Sequence, residues 1–417
     1  MILEKYSMGV GDRFGYQGKA QLKAVQAARA EGIPVVPVWN KSHREHTIIG
    51  STPADVRREA DAAVRALDWS YPYHVDADHI GIENVDLFID SSDFFTLDVA
   101  DFTGEKADTE QVDAFVQKTR QYTGALAIPG VDQTFRVTEE DVRSIAEKYL
   151  LAVREAARIY RHIAERKTPD MFVTEVSMDE TDTPQTPVEM FFILAAIAAE
   201  DIPAQTVAPK FSGRFNKGVD YVGDVETFTR EFEQDLAVIE YAKKEFGLPA
   251  SLKLSVHSGS DKFSIYGPIR EALIRHDAGL HVKTAGTTWL EEIIGLAAAG
   301  GAGLEIARTI YEDALSRYDE LCGPYASVID IERGNLPDPE MVRRWSGEQF
   351  AHALTHDQDC PDFNPDFRQL LHVAYKVAAE MGSRYTAALE AAEDVVAESV
   401  KENILERHIR RIFPAGL

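Results

Sequence analysis

One pattern recurs along the first two thirds of the chain: a short run rich in β-branched and aromatic residues, a polar loop, then a segment with helical spacing of apolar residues. Repeated strand–helix alternation calls for a parallel sheet whose faces are covered by helices. Eight runs qualify: "YSMGVGD" (6–12), "IPVVPVW" (33–39), "YHVDAD" (73–78), "FFTLDVA" (94–100), "DMFVTEVS" (170–177), "AQTVAPK" (204–210), "SLKLSVH" (251–257) and "LHVKTAG" (280–286). Eight strands close a TIM (β/α)8 barrel. The expected α/β architecture is a barrel core over residues 1–290, with a helical insertion at about 101–167 and a helical C-terminal extension over 291–417 packed on the barrel.

The intervening segments carry helix punctuation. "TPADVRREADAAVRAL" (52–67) opens with Thr52 as N-cap and Pro53 at the first helical position. Asp224 caps a second helix that Gly247 stops. The segment 137–167 is longer than a barrel needs and is assigned to the insertion between the fourth and fifth strands. Beyond about residue 288 the helical pattern is interrupted only by "GNLPDPEM" and "HDQDCPDFNPDF".

Composition excludes several functional classes. With 69 acidic against 44 basic residues and a net charge of −25, the chain has no concentrated positive surface for nucleic acid. The longest apolar run, "MFFILAAIAA" (190–199), has about half of the roughly 20 residues that a bilayer span needs, so it is expected to be a buried helix and no membrane partner is expected. Cys322 and Cys360 are the only cysteines and form no CxxC, which fits a reducing, cytoplasmic setting. No signal-peptide pattern opens the sequence. "GVGDRFG" (9–15) fails as a dinucleotide fingerprint because Phe14 stands where the third glycine belongs. Neither a phosphate-binding GxxxxGK[ST] loop nor a nucleophile elbow occurs.

Active sites of such barrels are built at the C-terminal ends of the strands. There the sequence places "NKSHREHT", "DADHIG", "TEVSMDE", "PKFSGRFNKG", "HSGSDK" and "HVKTAGTT". His79, His257 and His281 with Glu175 form a ligand set suited to Zn²⁺ or a similar divalent ion in a catalytic role. Asp76 and Asp78 share one face of the third strand, each a candidate proton acceptor or a carboxylate that orients a ligand histidine. His43 and His46, three apart, could ligate too but are assigned to a polar rim or a substrate contact. Lys41, Arg44, Lys210, Arg214, Lys262 and Lys283 are conspicuous in so acidic a chain and fit an anionic substrate. Ser258 and Thr284 add hydroxyls beside them, and Gly259 is expected to let its loop turn tightly.

The strings "ADHIG", "SSDFFTLDVAD", "PKFSGRFNKGVDYVGD", "LSVHSGSDKFSIY", "HVKTAGTTWLE", "YASVIDI" and "FNPDFRQLLHVAYKVAAEMG" resemble the tagaturonate epimerases of bacterial hexuronate catabolism, in order, from about residue 77 to about residue 381. The resemblance implies a metal-dependent isomerase interconverting D-tagaturonate and D-fructuronate, with relatives acting on neutral ketohexoses. It carries His79 and His257 over as ligands and leaves Glu175 and His281 as alternatives. Zn, Mn and Ni remain open as the ion, and so does a homo-oligomeric state.

These two ketouronates differ at a carbinol carbon β to the ketone, where the proton is not acidified by the carbonyl. Enolisation cannot invert that centre, whereas retro-aldol cleavage and re-addition can, given a Lewis acid on the ketone and a general base on the β-hydroxyl. Asp78, Glu175 and Lys262 are the candidate bases, and Arg214 and Lys210 the candidate grip on the carboxylate. Two rival readings keep the same residues: a class II type metal-dependent aldolase of a sugar acid or sugar phosphate, and a non-catalytic sugar-acid binding barrel.

Overall fold

A computed structural model describes residues 1–284 and 286–416; Ala285, in the eighth predicted run, and Leu417, at the end of the predicted extension, lie outside the described residues. The strands are β1 (Tyr6–Val10), β2 (Val35–Ser42), β3 (His74–Ile80), β4 (Phe94–Asp98), β5 (Gly124–Ala127), β6 (Thr134–Val137), β7 (Val173–Ser177), β8 (Thr206–Ala208), β9 (Lys253–Val256) and β10 (Leu280–Lys283). Eight of them close a barrel in the order β1-β10-β9-β8-β7-β4-β3-β2, every pairing parallel. Each of the eight predicted runs overlaps one barrel strand; β2 and β3 continue past their runs, to Ser42 and Ile80.

Between β4 and β7 the chain adds the antiparallel hairpin β5-β6 and two helices, Thr109–Thr119 and Glu139–Ala164. The hairpin was absent from the sequence reading, because four-residue strands on an exposed surface carry little alternation. Thr138 starts the long helix with a reciprocal capping box to Asp141, which satisfies two backbone donors that a helix start leaves free. The apolar run at 190–199 lies within a buried helix, Pro187–Ala199, and no helix among the described residues is long and apolar enough to cross a membrane.

Two apolar clusters divide the core. The large one fills the space between strands and helices. A small one, Leu3, Val38, Phe94 and Val173, plugs the barrel interior near its N-terminal end. Above that plug the interior turns polar: Ser7, Asp76, Thr96, Glu175, Ser255, His281 and Lys283 are all buried. Barrel interiors are ordinarily filled by branched apolar side chains. Burying so many polar groups is costly unless they pair, so this interior is a candidate for the functional site.

From Thr287 onward the described chain is helical with short connections, ending in a π-helical stretch over Asn403–Ile409 and a last turn at Arg410–Ile412. Arg368, on the helix Pro365–Val373, is fully buried and ties this region to the barrel loops. Its guanidinium donates to the carbonyls of Gly218 (2.6 Å) and Leu354 (2.7 Å) and to Asp261 Oδ2 (3.0 Å).

Gly259 does not play the part expected of it. The left-handed residues of its loop are Ser258 (φ 48°) and Asp261 (φ 60°), and Gly259 is there for space: a Cβ on it would sit 2.6 Å from Val282 Cγ1. Gly259→Ala is therefore expected to cost about 1–3 kcal/mol through overpacking, measured by urea unfolding; an unchanged midpoint would show that β10 yields freely at Val282.

Candidate active site

The loops at the C-terminal mouth enclose a cavity of about 370 Å³ whose lining includes Arg13, Arg44, Asp78, His79, Asp98, Asp179, Lys217, His257, Lys283 and His372. Strand alternation would turn Asp78 and His79 to opposite faces. A register shift between Ala77 and Ile80 and a left-handed His79 (φ 52°) bring both to the mouth. Bulges re-aim side chains in this way, and a non-glycine residue held at positive φ stores strain that the surroundings must sustain.

His79, Asp179 and His257 each present one donor atom within 4.8 Å of the other two. The two imidazoles are oriented from behind by carboxylates. His79 Nδ1 meets Asp98 Oδ2 at 3.3 Å, which leaves Nε2 free. His257 Nε2 meets Glu175 Oε1 at 2.7 Å, while Nδ1 lies 3.1 Å from Asp179 Oδ1 and has no hydrogen-bond partner. A buried, orphaned imidazole nitrogen beside a carboxylate, its other nitrogen fixed by a second carboxylate, fits a divalent ion with three protein ligands and an open position. Burial disfavours the charged imidazole of His79, yet Asp78 and the Asp98 hydrogen bond outweigh it and push its pKa up to about 10. Asp179 is half-buried; partial desolvation works against its charge, yet His257 and His79 hold it well below the ordinary carboxylate range. The acids around the trio thus favour positive charge at this point, which a divalent ion would supply in place of the imidazole protons.

Beneath it lies a second constellation. Lys283 Nζ bridges Asp76 Oδ2 (2.8 Å), Asp78 Oδ1 (2.8 Å) and Glu175 Oε1 (3.1 Å), and it donates to Thr96 Oγ1. Burial works against its charge, but the three carboxylates keep it protonated well above the ordinary lysine range. His79 and His257 help Lys283 to balance Asp78 and Glu175, and the mismatch falls on Asp76: burial, with Asp78 and Glu175 alongside, overcomes Lys283 and pushes it up to about 7.

The cationic wall differs from the expected one. Lys217 Nζ donates to Ser258 Oγ (2.9 Å) and enters no ion pair among the described residues, and Arg44 lies over the Tyr325 ring at 4.5 Å. Arg13 also reaches the cavity, but it is paired with Glu45 (3.0 Å) and stacked on Tyr375 at 3.9 Å.

Several residues named from the sequence are placed elsewhere. Lys262 is not at the cavity; its Nζ donates to the carbonyls of Asn216, Val219 and Ser260, three acceptors that consume all its protons. His281 faces the barrel interior below Lys283, bonded to Ser7 Oγ at 2.9 Å and packed on Phe94, so the structure does not bring it to the mouth. Lys41 turns away and donates to the Arg13 carbonyl, and Thr284 Oγ1 donates to the Gly9 carbonyl. Arg214 is paired with Asp330 at 2.8 Å and, with Lys210, lines an annex of about 290 Å³ that shares Arg44, Lys217, His257 and Ser258 with the main cavity. Of the two expected rim histidines, His43 lines the cavity, whereas His46 is buried against Ser51.

Asp179, Lys217, Arg13 and His372 were missed. Asp179 stands in "TEVSMDE", two residues past the end of β7, and Lys217 in "PKFSGRFNKG" beside residues that were chosen, so the strand-end rule could have found both. Arg13 sits in the glycine motif set aside as a failed fingerprint, and His372 in a tail with no strand ends.

A family model described as UxaE, tagaturonate epimerase, matches residues 1–412. The tagaturonate/fructuronate epimerase of Thermotoga maritima is 29% identical over 421 residues, covering 97% of this chain and 80% of that protein. Crystal structures of the fructuronate-tagaturonate epimerase UxaE from Cohnella laeviribosi share the fold. The form complexed with one glycerol has a TM-score of 0.77 at 24% identity over 97% of this chain and 81% of that one, and the native form a TM-score of 0.76 at the same identity and coverage. On a match that runs from the first residue to within the last helical turn, over a barrel whose mouth gathers His79 and His257, this chain belongs to the tagaturonate epimerase family.

Proposed function

We propose that this chain interconverts D-tagaturonate and D-fructuronate by cleaving and re-forming the bond between the inverted carbinol carbon and the carbon next to the ketone, with a divalent ion held by His79, Asp179 and His257. The observation that carries the proposal is one cavity holding both this donor trio and the cations Arg44 and Lys217. When bound, the ion supplies Lewis acidity that polarises the substrate ketone. Asp98 and Glu175 fix the imidazole orientations, and Lys283 keeps the charge of Asp78 and Glu175 balanced beneath the reacting carbons.

Cleavage puts the carboxylate on the aldehyde fragment. That fragment must turn its other face to the enediolate without escaping, so a grip on its carboxylate retains it while the aldehyde end rotates. Lys217, with its charge unpaired, is the principal anchor, and Arg44 the second. Lys217→Met is expected to raise KM for the uronate roughly 10–100-fold, matching the ~1.5–3 kcal/mol of a charge-assisted hydrogen bond, with kcat little changed because ground and transition states lose the same contact. An unaltered KM would remove Lys217 from the carboxylate site.

The activity itself is tested by incubating the purified protein with D-fructuronate and following products by NMR, as isolated, after chelation, and after adding back Mn²⁺, Zn²⁺ or Ni²⁺. D-tagaturonate alone, lost with chelation and restored by one of the ions, is the expected result. Accumulating free three-carbon products would identify an aldolase instead, and unchanged uronate under every condition would leave a binding barrel.

A further inference from the structure

The segment "HDQDCPDFNPDF" interrupts the helical tail. It follows the helix Gly347–Leu354 and runs into the helix Pro365–Val373, and its backbone is held at both ends. Asn364 N donates to the Ala353 carbonyl at 3.0 Å, which folds the segment back onto the helix it has just left. His356 is buried between the rings of Phe263 (4.7 Å between centroids) and Phe363 (4.8 Å). Cys360 N donates to the Asp357 carbonyl at 3.1 Å, and the Cys360 carbonyl accepts from Phe363 N at 3.2 Å.

On this turn three donors of different chemistry converge. An imidazole nitrogen of His352, in the last turn of the first helix, lies within 4.8 Å of Cys360 Sγ and of an Asp362 carboxylate oxygen, and those two lie as close to each other. Cys360 is a free thiol, and among the described residues neither it nor the side chains of His352 and Asp362 form a hydrogen bond or ion pair. None of the three lines the cavity at the barrel mouth. Thiolate and imidazole together select Zn²⁺ and its transition-metal neighbours over Mg²⁺ and Ca²⁺, which favour oxygen ligands. Zn–N and Zn–S bonds of about 2.0 and 2.3 Å set tetrahedral donors roughly 3.3–3.7 Å apart, so the three atoms need to close by about 1.5 Å at most. His352 and Asp362 are exposed and Cys360 is half-buried, so side-chain rotation supplies that closure. Pro361 fixes its own φ and restricts Cys360 before it, which lowers the ordering cost of gathering two of the donors.

We propose that His352, Cys360 and Asp362 form a second divalent-ion site, taking Zn²⁺ or Co²⁺, that clips the 355–363 turn to the end of the helix Gly347–Leu354. The Leu354 carbonyl at that end already accepts from Arg368 at 2.7 Å, so the clip steadies the same junction from outside. Binding takes the thiolate form and releases the thiol proton. With three protein donors and a fourth position open to water, the site exchanges with solvent and empties on gel filtration into metal-free buffer.

Co²⁺ provides the test, because a thiolate-to-cobalt charge-transfer band requires a sulfur ligand and the trio at the barrel mouth has none. The other thiol, Cys322, is 6% exposed and serves as the control. Titration of the chelated full-length chain with Co²⁺ is expected to raise the band to one equivalent per chain, in wild type and in Cys322→Ser alike. Cys360→Ser abolishes it. His352→Ala and Asp362→Asn each weaken the affinity by at least about 10-fold, the lower end of what even an outer partner of a ligand is worth. Zn²⁺ at about a hundred times its Kd leaves roughly 1% of the thiolate free, so alkylation of Cys360, followed by peptide mapping, should slow about 100-fold. No band at about 1 mM Co²⁺, where any site of useful affinity is filled, overturns the proposal. A band undiminished in His352→Ala, the mark of a lone thiol taking cobalt, overturns it equally, as does a band lost in Cys322→Ser. Should a variant fail to fold, the wild-type titration and alkylation rate decide alone.

Discussion

His257→Ala is expected to lose the divalent ion and with it measurable epimerisation, while the barrel stays folded. Removing a partner that merely orients a ligand costs roughly 10–100-fold in metal affinity or activity, so loss of a ligand itself must exceed that. Asp98→Asn is the internal scale: it removes the group behind His79 and leaves every donor of the trio in place, so it is expected to fall within the 10–100-fold range. The fold tolerates His257→Ala because Glu175 keeps Lys283 at 3.1 Å and Thr96 Oγ1 at 3.2 Å, so no buried carboxylate is stranded. Metal content after gel filtration, NMR turnover and far-UV circular dichroism give the three readings. Stoichiometric metal with full turnover in His257→Ala would remove it from the ligand set.

The architecture was legible because a parallel barrel writes itself as strand–helix alternation, and apolar β-rich runs between capped helices leave few other topologies. Legibility failed where a residue's position depends on a local break in that regularity. His79 was found through the strand-end rule, but nothing in "DADHIG" says that β3 bulges there, and without the bulge its ring would face the helices. Residue type misled in the opposite direction at Lys262 and His281. Both stand beside strand ends in sequence, yet one is consumed by three carbonyls and the other lies below the mouth, bonded to Ser7. Register within the barrel separates His281 from Lys283: they face the same interior two residues apart, and only the upper one reaches the cavity. His372 was hidden for another reason, since a helix packed over the mouth contributes to the site by tertiary contact alone.

That register also sets the largest expected stability effect. Lys283→Met leaves Asp76 buried with no cation and Asp78 and Glu175 dependent on His79 and His257 alone, and breaking a buried ion pair by removing one partner costs about 3–5 kcal/mol. The deficit should depend on pH. In the wild type Lys283 holds Asp78 and Glu175 below the ordinary range, a contribution present above their unfolded pKa values of about 4 and lost as pH falls through the folded ones. In the variant burial and mutual repulsion are opposed only by His79 and His257, and they prevail as they already do at Asp76, which is pushed up to about 7. Folded-state pKa values raised above the unfolded ones mean that the native state binds more protons, so variant stability must climb as pH is lowered from 8 towards 5. Urea unfolding at the two pH values reads this directly: the gap to wild type should be widest at pH 8 and narrow at pH 5. A variant as stable as wild type at pH 8, or a gap that widens on acidification, would mean that the three acids do not depend on Lys283 for their charge, and the electrostatic floor assigned to this site would have to be abandoned.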